Sequence, residues 1–168
     1  MERIHKIIIA AAAMLLATLI VVTAAVLSRR APEISDFTPP AHEENAVAGE
    51  PSVALQPASI LDIRIGIASE EQLLVGNEYY LYFTSYESNT AWIKLRLYAE
   101  KGGEMLAESG LIYPGEHLPA LTLTKDMSSF SEEGTLYLEI ITYEPETYFS
   151  LGAPTVRLPY QKASAVRD

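Results

Sequence analysis

The chain has 168 residues, with 22 acidic against 12 basic side chains, a net charge of −10, three histidines and no cysteine. Such an acid excess argues against nucleic acid as a partner, because phosphates are engaged by Lys and Arg, and against lying flat on an anionic lipid surface. The missing cysteine excludes disulfides, thiolate metal sites, cysteine nucleophiles and acylation at an N-terminal cysteine.

The first element is an uninterrupted apolar run over residues 7–27, without charge, Pro or Gly. As a helix its 21 residues would extend about 32 Å, close to the roughly 30 Å hydrocarbon core of a bilayer. Lys6 stands before it and Arg29-Arg30 behind it. Residues 1–28 are therefore expected to be a single transmembrane signal-anchor, meeting lipid through residues 7–27. The alternative is a cleaved signal peptide with its small residues at Thr23-Ala24-Ala25, but the apolar run is longer than a signal core. Sidedness is nearly balanced, with Arg3, Lys6 and the amino terminus facing Arg29 and Arg30. Glu2, Arg3 and Lys6 contribute +1, leaving −11 for residues 29–168. An acidic, Tyr-rich distal part suits the extracytoplasmic side of a cell membrane, and that is the expected location.

Residues 29–58 hold five of the ten prolines and five acidic residues, and no apolar period is sustained. Proline fixes φ and removes a donor, so this stretch reads as a flexible Pro-rich and acidic linker. From residue 59 the period becomes 2, the mark of half-buried strands. Leu61, Ile63, Ile65 and Ile67 alternate with polar residues or Gly. In residues 79–86, Leu81 and Phe83 share one face, with Tyr80, Tyr82 and Tyr86 on the other. In residues 92–98, Ile93, Leu95 and Leu97 alternate with Lys94 and Arg96.

Lys101-Gly102-Gly103-Glu104 reads as a hairpin turn, and Tyr113-Pro114-Gly115-Glu116 as a type II turn. Further strands are expected near residues 105–108, 118–123 and 135–143, the last with Leu136, Leu138 and Ile140 on one face. A final strand over 153–160 carries prolines, which suits an edge. About seven short strands with no helical period imply an all-β domain, an Ig-like β-sandwich over residues 59–162 with a tail at 163–168.

One stretch adds a resemblance. Ser109-Gly110-Leu111-Ile112-Tyr113-Pro114-Gly115-Glu116-His117-Leu118, followed by Leu121-Thr122-Leu123 and Glu133-Gly134-Thr135-Leu136-Tyr137-Leu138, resembles exported Ig-like and fibronectin-III-like domains of Gram-positive bacteria. Residues 62–159 look similar to small membrane-anchored clostridial-type surface proteins. The resemblance implies a fold and a bacterial cell-surface location, and transfers no catalytic or binding residue. Leu136 departs from the pattern, which often places Tyr there.

No catalytic set emerges. His117 follows a Pro-Gly turn beside Glu116 without a nucleophile in reach of the sequence pattern. The pairs Glu70-Glu71, Glu132-Glu133 and Glu144/Glu146 could in principle serve as paired carboxylates, but all fall in expected turns. The 126–134 loop offers Asp126, Glu132 and Glu133 to calcium without EF-hand spacing. No enzyme activity, cofactor or metal is expected.

Recognition potential lies in the aromatics, since all ten tyrosines stand at or after position 79. Tyr80, Tyr82, Tyr86, Trp92 and Tyr98 are expected on outward faces, where they could form a ligand or partner surface. Three functions fit. The first is a non-enzymatic interaction or structural module of the cell envelope with a protein partner at the surface. The second is a carbohydrate-binding module that stacks glycan on Tyr and Trp. The third is an accessory subunit of a membrane complex, packing through the Ala-rich helix.

Overall fold

The computed structural model describes residues 39–60, 62–69, 72–125, 128 and 130–163. The anchor expected over 7–27, the first part of the linker, Leu61, the Glu70-Glu71 pair, Asp126 and residues 164–168 lie outside the described residues. Among the described residues no helix is long and apolar enough to cross a membrane, and the secondary structure is almost entirely strand.

Eleven strands follow in chain order: β1 (Val47–Ala48), β2 (Leu55–Ile60), β3 (Ile63–Ala68), β4 (Leu73–Val75), β5 (Glu78–Ser85), β6 (Trp92–Tyr98), β7 (Met105–Ile112), β8 (Glu116–Thr122), β9 (Glu133–Tyr143), β10 (Ser150–Gly152) and β11 (Thr155–Lys162). They form one sheet with the path β1-β8-β5-β4-β11-β9-β6-β7, to which β3 adds beside β5, β2 beside β3 and β10 beside β9. The link between its two halves is short: β4 pairs in parallel with the end of β11, Leu73 with Gln161 and Leu74 with Lys162. The sheet is curled.

The curl is driven by one apolar layer. Leu81, Phe83, Ile93, Leu95, Leu97, Leu136, Leu138 and Ile140 all have no exposed surface. They join Ile65, Leu118, Leu121 and Leu158 in a single core cluster drawn from both halves. Alternation on each strand puts these side chains on one face, and only closure of the two halves removes that face from water.

Turns follow their residue chemistry. Gly76 takes φ +62 before Asn77, the pattern of a type II′ hairpin, and joins β4 to β5. Gly115 takes φ +82 and Glu116 N–H donates to Tyr113 O at 3.1 Å, which closes the Pro-Gly turn. That turn does not join paired neighbours, for β7 pairs with β6 and β8 with β5. It carries the chain from one half of the sheet to the other.

The expectation of a linker over 29–58 needs correction for its described part. Within residues 39–58 two segments are strand, Val47–Ala48 and residues 55–58 of β2, and His42 makes a bridge to Leu111. β2 runs antiparallel to β3 over six residue pairs from Leu55↔Ala68 to Ile60↔Ile63, and β1 pairs with β8. Among the described residues there are eleven strands, against about seven expected. Backbone pairing along an edge requires no apolar alternation, and the side chains of β1 and most of β2 are exposed. Prolines at strand edges cost no ladder bond when the N–H side faces water.

Candidate functional site

A shallow groove of about 590 Å³ lies over the outer face of β4 and β5, with Val53, Ala68, Leu73, Val75, Tyr80 and Tyr82 among its walls. Its construction follows from two alternating strands in register. On β4, Leu74 points into the core while Leu73 and Val75 stand 42% and 47% exposed. On β5, Tyr79, Leu81 and Phe83 point inward. Tyr80, opposite Leu73, and Tyr82 therefore face out. The two outward rings lie 6.3 Å apart, tilted by 40°.

Tyr82 is held unusually. The ladder shifts between Tyr80↔Ala120 and Phe83↔Leu118, giving β5 one more residue than β8, and Tyr82 takes φ +47. A bulky residue in the left-handed region costs about 1–3 kcal/mol, and such strain concentrates at binding sites. The bulge aims the Tyr82 ring into the groove. Behind the floor, Tyr79 is fully buried and donates its hydroxyl to Pro159 O at 2.9 Å. Desolvation raises its pKa, so it stays neutral.

The other three expected surface residues lie elsewhere. Tyr86 sits at the far end of β5 with the Arg64 guanidinium 5.3 Å from its ring centre. Trp92 packs between Tyr113 at 4.8 Å and Tyr148 at 5.4 Å, in a stack that His42 extends at 4.5 Å from Tyr113. Tyr98 donates to Glu139 at 3.2 Å. Two of the five residues thus share a site. Leu73 and Val75, the groove's aliphatic walls, lie between Glu70-Glu71 and Gly76-Asn77, a stretch that the sequence pattern reads as one turn. The apolar triplet Leu73-Leu74-Val75 was the available signal.

Beside Tyr98, a charged ladder crosses β7, β6 and β9. Glu108 meets Lys94 and Arg96, each at 2.6 Å, and Arg96 lies 3.8 Å from Glu139. Burial pushes the Glu108 carboxyl up, but hydrogen bonds from Lys94 and Arg96 outweigh it and hold the group below its ordinary 4.5. A carboxylate depressed in the folded state stabilises fully above its unfolded value and loses that contribution as pH falls through its folded one. Glu108→Gln is therefore expected to narrow the difference between thermal midpoints at pH 7 and pH 3.5. An unchanged difference would show that Glu108 does not contribute to the acid limb.

His117 is buried, and its Nδ1 lies 2.7 Å from Gly49 O. A carbonyl only accepts, so Nδ1 carries a proton in this contact. Of the candidate carboxylates, Glu144 accepts from the Thr147 N–H at 2.7 Å and the Thr147 hydroxyl at 2.5 Å, the closure of its own turn. Glu132 and Glu133 are exposed. Among the described residues no three or more His, Cys, Asp or Glu gather where they could hold a metal ion.

Comparisons of the chain with protein-family models, with curated proteins and with solved structures give no match. The functional reading therefore rests on the site itself.

Proposed function

We propose that this chain is a non-enzymatic, single-pass membrane protein whose Ig-like β-sandwich docks a protein partner at the extracytoplasmic surface. The observation that carries the reading is the groove, where Tyr80 and Tyr82 stand beside exposed Leu73 and Val75. Tyr is among the residue types enriched at protein interfaces and their hot spots, and the exposed aliphatic neighbours add apolar area that a partner would cover. The net charge of −10 favours a neutral or basic partner.

The Ig-like class is supported by the pairing pattern. The pairs β5–β8 in one half, β6–β9 and β9–β11 in the other, and the parallel β4–β11 contact match the strand neighbours of such sandwiches. Membrane attachment is supported by the uncharged apolar run of residues 7–27, and the extracytoplasmic side by the acidic, Tyr-rich remainder of the chain.

The test places a photoreactive residue at Val75 of the full chain in its native membrane. One protein should crosslink from Val75 and not from exposed Met105, and capture should fall at least tenfold with Tyr82→Ala. Equal capture from both positions, or none, contradicts the reading. A glycan is the second reading, favoured by the paired Tyr80 and Tyr82 rings. It predicts instead a calorimetric isotherm with a neutral envelope polysaccharide that disappears in Tyr82→Ala.

A further inference from the structure

Residues 41–49 form a strap around the Pro-Gly turn. The strap first runs parallel to β7, where Leu111 N–H donates to Ala41 O at 2.7 Å and Glu43 N–H donates to Leu111 O at 2.8 Å. After a turn in which Ala46 N–H donates to Glu43 O at 3.2 Å, it pairs antiparallel with β8, Val47 opposite His117 and Ala48 opposite Glu116. Gly49 N–H closes it on Gly115 O at 2.7 Å.

The receiving stretch, residues 110–117, is shaped for it. A Cβ on Gly110 would meet the Glu43 backbone at 2.7 Å, so only Gly permits the approach. The Gly110 N–H donates to the Glu43 carboxylate at 2.5 Å. His42 stacks on Tyr113 and its Nε2 lies 3.0 Å from the Glu116 carboxylate. His117 holds Gly49 O.

Two features make this strap separable from the domain. None of its residues belongs to the core cluster, nor to the partly buried residues packed on it. Most of its side chains are exposed, Val47 at 48%. An element held by edge hydrogen bonds, a few polar side-chain contacts and one ring stack, with little apolar burial, opens at the low end of the stability range while the core persists. Opening bares unpaired donors and acceptors on two strand edges, which template another strand.

We infer that residues 110–117 are a strand-exchange socket, and that its partner is the strap of a second copy of this chain. Every contact made within one copy can be remade between copies, because strap and socket are identical in both, the low-cost route to a dimer. The connection from Gly49 to β2 at Leu55 acts as the hinge. Gly49 takes φ +89 with open space where a Cβ would stand, and Pro51 stiffens the path. The socket itself lies apart from the groove, although the hinge carries Ser52, Val53 and Ala54, which line the groove.

The cysteine-free chain makes the test clean. Full-length copies with one tag carry Ala48→Cys and copies with another tag carry Glu116→Cys, so a disulfide between tags requires a strap in the other copy's socket. After mixed incubation near the thermal midpoint and mild oxidation by oxidised glutathione, the tag-to-tag disulfide should exceed that with Met105→Cys in place of Glu116→Cys by tenfold or more. Because Glu116→Cys removes the His42 partner, the unmodified chain is also followed by light scattering. It should yield a dimer fraction that Gly110→Val abolishes. A trans disulfide no greater than the Met105→Cys background, with a monomer at every concentration, overturns the inference.

Discussion

Phe83→Ala is expected to lower the unfolding free energy by about 3–5 kcal/mol, the range for emptying a fully buried Phe site. Phe83 has no exposed surface, lies opposite Leu118 in the β5–β8 ladder and belongs to the core cluster that closes the two halves. Domains of this kind are stable by only about 5–15 kcal/mol, so the thermal midpoint should fall by roughly 10–20 °C. The bulge at Tyr82 adds a reason for a large effect. Phe83 is the residue after the left-handed position, and its packing holds that backbone in place. Chemical denaturation of Phe83→Ala with a loss under about 1 kcal/mol would mean that the two halves do not rely on this contact.

Gly110→Val should act differently, releasing the strap without melting the core. Its Cβ would approach Glu43 N and Cα at 2.7 Å and Ala41 O at 2.8 Å, all backbone atoms with no side-chain freedom to yield. Three hydrogen bonds go with the β7 contact, at about 0.5–1.5 kcal/mol each. A loss of roughly 2–4 kcal/mol is expected, with far-UV circular dichroism nearly unchanged. Hydrogen exchange locates the effect: protection should vanish at Glu43, Leu111 and Gly49 while Leu95 and Leu138 stay protected. Uniform loss across the sheet would show that the strap is integral to the core.

The inward faces of the longer strands were legible in the sequence because burial on one face imposes strict alternation. Leu81 and Phe83, Ile93 to Leu97, and Leu136 to Ile140 all read correctly from period 2 alone. The glycine turns were legible for a related reason, since Gly115 supplies a positive φ that few residues tolerate. What escaped are the elements whose bonds are backbone to backbone. β1, β2 and the strap carry Pro and exposed side chains, and so resemble a spacer. β4 has three residues, too few for a period, and with it went the Leu73 and Val75 walls of the groove.

The five aromatics illustrate a second limit. Outward-facing residues can be recognised strand by strand, but whether they meet depends on pairing order, which alternation does not encode. β4 beside β5 brings Leu73 to Tyr80, whereas Trp92 is claimed by Tyr113 and Tyr148. The stretch 109–118, legible in the sequence only as a Pro-Gly turn between strands, includes the socket for the strap.

Presentation of the groove at the cell surface is tested most directly by labelling a single cysteine on intact cells. The full chain with Met105→Cys, at an exposed site on β7, is treated with a membrane-impermeant maleimide and the membranes are then extracted with carbonate. A labelled chain that remains with the membrane is the expected result. A chain protected from the reagent until the cells are lysed, or one released by carbonate, would contradict the proposed anchoring and sidedness.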